Sequence, residues 1–274
     1  MYTQKLAETV RWQVVTDYRP GAGTTIGAAY VARATPDGYT LLAASPSLVI
    51  APVVYSSLPY DTVKSFAPVS LMSKRSSLLM VHPSVPVKTA VEYFTYLRAN
   101  PGKVNFGTSG AGGNTHLAAE WLHSLTKTSV TYVHYKGASP LQTDIMAGRI
   151  QATFSTPLTM IPLIRNGTLR ALAATSTTRV ARLPDVPTLV EQGVAGYDHN
   201  FWMGYVAPSA TPAAVLAKLN AEFSKVAKAP DIVQKMADEG NQTVGSSVEE
   251  FRQYIGAELV RVRKLVQETG IVPE

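Results

Sequence analysis

Between residues 104 and 175 the chain alternates without a break between short apolar runs and amphipathic stretches. VNFGT, VTYVHY (130–135), IQATFS (150–155) and LRALAAT (169–175) have the length and composition of strands. The spans 115–126, 139–147 and 158–165 between them carry apolar residues at helical spacing. Strands joined through helices return to a sheet in parallel, so the pattern confines the chain to α/β folds built on parallel sheets.

The flanking segments extend this reading. Residues 3–12 read as a helix, WQVVTDY (12–18) as a strand, and Arg19-Pro20-Gly21 as a turn into a helix over about 23–34 that Pro36-Asp37-Gly38 stops. YTLLAA (39–44) is nearly all apolar, the pattern of a strand covered on both faces. FAPVSLM (66–72) and SLLMVH (77–82) follow as strands, then a helix from Thr89 to Ala99 that ends at Asn100-Pro101-Gly102. FWMGYVAPSATP (201–212) reads as a crossing segment into helical material. There Val215, Leu219, Phe223 and Val226 form one core stripe, and Val248, Phe251, Ile255, Leu259, Val262 and Val266 another. The Pro/Gly punctuations near 100–102 and 207–212 bracket a middle block. The expected domains are therefore 1–100 with 205–274, and an inserted 101–204.

VNFGTSGAGGNTHLAAEWLH (104–123) is the densest stretch. A strand enters a glycine-rich loop and then a helix opening at Asn114 or Thr115, which gathers unpaired N–H groups at the positive end of the helix dipole. That arrangement holds anions. Net charge is +6 without a basic run of nucleic-acid type, which suits a small anionic ligand and excludes nucleic acid as the partner. With no cysteine, disulfides, thiolate catalysis and Cys-ligated metal are excluded. No apolar run reaches about 18 residues, and MYTQKLAETVRW lacks a basic-then-apolar export pattern.

Motifs that would carry catalysis are incomplete. Gly21-x-Gly23-x-x-x-Gly27 stands where a dinucleotide-binding turn would. Its spacing differs from that turn, however, and the next strand ends at Ser45 without an acid for a ribose. Gly107-Thr108-Ser109-Gly110-Ala111 occupies the place of a hydrolase nucleophile elbow, with its last glycine displaced and no acid in a triad context. His116 and His123, seven apart, can share a helix face but make a poor metal site alone, so packing or capping is the better reading. The first 204 residues hold only ten acids, all scattered. No cofactor is implied, and the chain advertises binding rather than chemistry.

RPGAGTTIGAAYVARATPDGYTLL (19–42), LPYDTVKSFAPVSLM (58–72), NFGTSGAGGNTHLAAE (105–120) and YKGASPLQTDIMAGRIQATF (135–154) carry a resemblance. So do RALAATSTTRVARLPDVPTLVEQGVAGY (170–197) and WMGYVAPSATP (202–212). In order and spacing, across nearly the whole chain, they resemble the tripartite tricarboxylate transporter receptors, the Bug family of extracytoplasmic solute-binding proteins. The resemblance implies an α/β, two-lobed periplasmic-binding-protein (Venus-flytrap) architecture. It implies a monomeric, periplasmic receptor that closes on a small organic acid and delivers it to membrane permease subunits. In such receptors backbone amides and ordered waters from two opposed loops grip a ligand carboxylate.

On this chain the second-lobe loop matches at Ser109, Gly110, Gly112, Gly113, Asn114, Thr115 and His116. Tyr135, Lys136, Gly137, Ser155 and Thr156 end the next strands and are expected at the same cleft, with Ser45 as the first-lobe candidate. Family members often carry Asp where Ser155 stands, so a plain carboxylate is expected rather than an amino acid. Family chains also begin with an export signal, a first strand and a Pro/Gly-rich loop before the helix that Thr3–Trp12 resembles. The N-terminal lobe here is expected to lack that strand. Codons upstream of Met1 are expected to encode these segments, and a stop codon just upstream with no alternative start would overturn this. If the chain is truly short, weakened binding and stability follow. The competing readings are a hydrolase or nucleotide-dependent enzyme on a doubly wound fold, which Ser109→Ala would silence, and a truncated paralogue with impaired binding.

Overall fold

The computed structural model describes residues 1–19, 21 and 24–269. Pro20, Ala22 and Gly23 lie outside the described residues, and with them part of the expected turn, the start of the 23–34 helix and the middle of the Gly21/Gly23/Gly27 pattern. In chain order the elements begin with α1 (Tyr2–Val10), α2 (Thr25–Ala32), β1 (Leu42–Ala44), α3 (Ser47–Val54), β2 (Phe66–Ser76) and β3 (Leu78–Val81). Next come α4 (Ala90–Ala99), β4 (Asn105–Thr108), α5 (Asn114–Thr126), β5 (Thr131–His134), α6 (Ala138–Met146), β6 (Ala152–Ser155) and α7 (Pro157–Arg165). The last are β7 (Arg170–Ala174), β8 (Asn200–Pro208), α8 (Ala213–Ala227), α9 (Pro230–Asp238), β9 (Asn241–Thr243) and α10 (Val248–Thr269). Two compact units result: Met1–Lys74 with Trp202–Glu274, and Arg75–Phe201. The first crossing thus falls earlier than the Pro/Gly pair at 101–102, because β3 is paired on both sides inside the second unit's sheet.

In the first unit the strand order is β1-β8-β2-β9. β8 is a strand where a plain crossing segment was expected, and it pairs antiparallel with β1, Leu42 opposite Val206 and Ala44 opposite Gly204. β1 lies at the edge of this sheet and has an exposed middle residue, so YTLLAA is not covered on both faces. WQVVTDY forms no strand, and Val15 and Tyr18 are 88% and 86% exposed. Alternation sets which side of a strand faces inward, but a strand forms only where a neighbouring backbone takes its N–H and C=O groups. The helix stripes behave as expected. Leu219, Phe223 and Val226 of α8 pack with Tyr2 and Leu6 of α1, Val69 and Met72 of β2, and Ile232 and Met236 of α9. Phe251 of α10 lies against Gly204, whose missing Cβ would fall 2.4 Å from the Phe251 ring and 2.7 Å from the Ser70 carbonyl oxygen.

The second unit's order is β5-β4-β6-β3-β7. β4 is parallel to β5 and β6, and β3 is antiparallel to both β6 and β7, so the four strands linked by helices all run one way. Only β3 opposes them, although α4 links it to β4. All four residues of β3 are buried, and their period-2 alternation splits the core into two layers. Leu79 and Val81 meet Tyr93, Phe94, Phe106 and Leu122, while Leu78 and Met80 meet Leu141, Ile145, Ile150 and Met160.

Gly204→Ala should destabilise the first unit by about 1–3 kcal/mol, since the added methyl meets backbone that cannot yield. The check is a lower urea midpoint at unchanged slope.

Candidate functional site

Because β5, β4 and β6 are adjacent and parallel, their C-terminal ends share one edge of the sheet; Thr108 stands opposite His134, and Gly107 opposite Thr153. A turn leaves each strand there and enters a helix: 109–113 into α5, 135–137 into α6, and Thr156 into α7. The N-caps are Gly113, Gly137 and Thr156, and in none of the three does a side chain accept a capping bond. Three sets of unsatisfied N–H groups and three positive dipole ends therefore meet at one edge. The edge is tied by the Tyr135 N–H, which donates to the Thr108 carbonyl at 2.9 Å.

Within the first turn, Gly112 has φ +62, a left-handed conformation that glycine adopts without a Cβ penalty. The Ser109 N–H donates to Thr115 Oγ1 at 3.1 Å, and the two hydroxyl oxygens lie 2.9 Å apart. Whichever hydroxyl donates within that pair, the other keeps its proton for an outside acceptor. Among the described residues nothing accepts from the N–H groups of Asn114, Thr115 or His116, the first turn of α5. This end of the unit presents free N–H donors and positive dipole ends.

The structure gathers every sequence-predicted residue except Ser45 on this edge. Ser45 belongs to the first unit, in the turn before α3, where its carbonyl accepts from the Leu48 N–H at 2.9 Å. Ser109 is exposed, Gly110, Gly112, Gly113, Asn114 and Thr115 are half-buried, and Lys136 is exposed. Ser155 closes β6, and Thr156 Oγ1 lies 3.1 Å from Thr159 Oγ1. Tyr135 turns its hydroxyl away to Asp144 Oδ2 at 2.7 Å, and Asp144 also takes Arg149 at 2.7 Å. Burial first, and Asp144 second, push the Tyr135 phenol up to about 12. The bonds from Tyr135 and Arg149 hold the Asp144 carboxyl below its usual range.

His116 is buried, and its Nδ1 accepts the Gly112 N–H at 3.0 Å while Nε2 lies 3.5 Å from Glu120 Oε1. Its ring packs edge-on against Tyr132 and His134, with centroids at 4.9 and 4.5 Å. Thr108, Glu120, Tyr132 and His134 were missing from the sequence-based set. Tyr132 and His134 are two apart on β5, and Glu120 is four after His116 on α5, so the spacings were legible. Their convergence depended on the β4–β5 register. His134 Nδ1 lies 2.7 Å from Thr108 Oγ1, which in turn donates to the Gly110 carbonyl at 3.3 Å. Burial, and then His116, lower the His134 pKa. His123 is sealed in the core against Phe106, its Nδ1 2.8 Å from the Tyr132 hydroxyl, and burial pushes its pKa down to about 3.

Ser109 Oγ bonds Thr115, and His134, the histidine nearest along the sheet edge, bonds Thr108. Among the described residues no group of three or more His, Asp or Glu side chains is placed to hold a metal ion. The chain forms two α/β units, one inserted in the chain of the other, and superposes on a periplasmic binding protein. The model of the tripartite tricarboxylate transporter family receptor matches residues 2–271. A protein from the tcbD-tcbE intergenic region of Pseudomonas sp. strain P51 is 34% identical over 267 residues, covering 97% of this chain and 80% of its own. An R. palustris protein solved with adipate superposes with a TM-score of 0.85 at 30% identity, covering 100% of this chain and 92% of that one. The periplasmic binding protein BugD superposes at 0.81 with 26% identity, covering 100% and 92%. The chain belongs to the tripartite tricarboxylate transporter family of receptors. It is a solute-binding receptor and not an enzyme.

The His123 environment makes stability depend on pH. Its folded pKa, near 3, is below the unfolded value near 6.5, so the unfolded chain binds the extra proton between them. That contribution is complete above pH 6.5 and is lost as pH falls toward 3, at up to about 1.4 kcal/mol per unit. Urea unfolding at pH 7, 6 and 5 should show the fall, and His123→Gln should flatten it.

Proposed function

We propose that this receptor binds a small organic acid, with one carboxylate held at the edge where α5, α6 and α7 begin. The observation that carries the reading is the convergence of those three helix N-termini, uncapped by side chains, beside the spare hydroxyl proton of the Ser109–Thr115 pair. Amide N–H groups and hydroxyls donate without carrying charge, and the summed dipoles favour an anion over a neutral ligand. Lys136 stands exposed on the same edge and adds a cation. The adipate bound by the R. palustris relative, a dicarboxylate, supports a carboxylate ligand here. Ser155, with no acid in its place, leaves nothing there to pair an ammonium group, which favours a plain acid over an amino acid.

Further parts of the reading follow from the family. The receptor works as a monomer in the periplasm and passes its ligand to the membrane subunits of a tripartite transporter. BugD, described as periplasmic, supports the location, and among the described residues no helix is long and apolar enough to cross a membrane.

Calorimetric titration with adipate, citrate and the dimethyl ester of adipate tests the core of the proposal. Saturable binding of an acid, with none of the ester and no turnover, is expected. Ser109→Ala should weaken the acid roughly tenfold or more, the loss of one hydrogen bond to a charged group, while leaving the melting temperature almost unchanged. Equal binding of acid and ester would overturn the reading.

A further inference from the structure

The buried imidazole of His116 was expected on the ligand, yet its geometry faces the loop. His116 is the third residue of α5, and its side chain reaches back past the N-cap Gly113 to accept the N–H of Gly112. This is the logic of a capping box, in which the third helical residue satisfies an N–H ahead of the helix, with an imidazole in place of a carboxylate. An Nδ1 that accepts a hydrogen bond carries no proton, so the neutral ring must hold its proton on Nε2, the atom facing Glu120. The Gly112 that it grips is the left-handed residue of the loop. Without that acceptor the N–H of a half-buried glycine loses its partner.

We propose that His116 is a positioning residue, the strut that fixes the 109–113 loop for its ligand, and that it works only as the neutral, Nε2-protonated imidazole. The inference rests on the carboxylate reading above for what the loop receives, but not for the strut itself. A proton added at Nδ1 removes the acceptor and sets two N–H groups against each other. The groups around the ring are Glu120 on α5, Tyr132 and His134 on β5, and, one contact further, Thr108 on β4 and His123 on α5. Glu120 is the only carboxylate of that set, and His134, its Nδ1 bonded to Thr108, would lie beside a cation if His116 were charged.

The strut and a direct ligand contact predict opposite pH behaviour. An imidazole touching a carboxylate binds it more tightly once protonated, whereas a strut lets go of the loop and weakens binding. His116→Asn places an amide oxygen where Nδ1 sits and cannot titrate. His116→Leu offers no acceptor.

The experiment uses the full chain, free and with adipate, between pH 8 and 5.5. In the free protein, nitrogen NMR of the His116 ring should show Nδ1 unprotonated at pH 8, and the Gly112 amide should be protected from exchange. Both signatures should disappear together as His116 gains its proton. At pH 8 the Leu variant should bind adipate roughly three- to tenfold more weakly and lose Gly112 protection, with the Asn variant within about twofold of wild type. Acidification should weaken wild type by a similar factor more than the Asn variant. A protonated Nδ1 at pH 8, a Gly112 amide indifferent to the Leu change, or binding that tightens on acidification in wild type but not in the Asn variant would overturn the strut. If the Leu variant does not fold, the wild-type ring signals and the Asn variant still decide. If no acid binds wild type, the carboxylate reading fails, and the free-protein signals still judge His116.

Discussion

The parallel pairing of β5, β4 and β6 is the constraint on which the candidate site depends. A parallel neighbour can be reached only by a crossover, and each crossover here is a helix that starts where its strand ends. The same register that stacks Thr108 beside His134 thus brings the starts of α5, α6 and α7 to one edge. β3, which runs the other way, lies between β6 and β7 and supplies core on both faces.

Charge at that edge comes mostly from the backbone. Most of the side chains near it are neutral or paired: Ser109 with Thr115, Tyr135 with Asp144, Thr108 with His134. Amides suit a receptor because they are placed by the helices themselves and need no side-chain ordering on binding. They also recognise carboxylates as a class, so discrimination among acids falls to contacts away from the carboxylate.

Much of this was legible residue by residue. Thr89 as a helix start, the α8 and α10 stripes, the strands of the inserted unit and the glycine loop all follow from signals a few residues long. The failures share a cause. WQVVTDY and YTLLAA have strand composition, but the first finds no ladder and the second pairs over only Leu42–Ala44 at a sheet edge. SLLMVH, with the same apolar run, forms a full strand because β6 and β7 pair with both its edges, and two core layers cover its faces. Composition cannot distinguish these cases, since the partners that decide them lie far along the chain.

The site divides in the same way. Sequence alone determined which turns carry glycine and hydroxyl groups and which helices they open, because capping and dihedral preference act within a few residues. Only the tertiary structure decided which groups meet: that Tyr135 turns to Asp144, that His123 is sealed in the core, and that His116 faces Gly112 and Glu120. Burial and hydrogen bonding set the charge state and direction of a side chain, and both are properties of its neighbours in space.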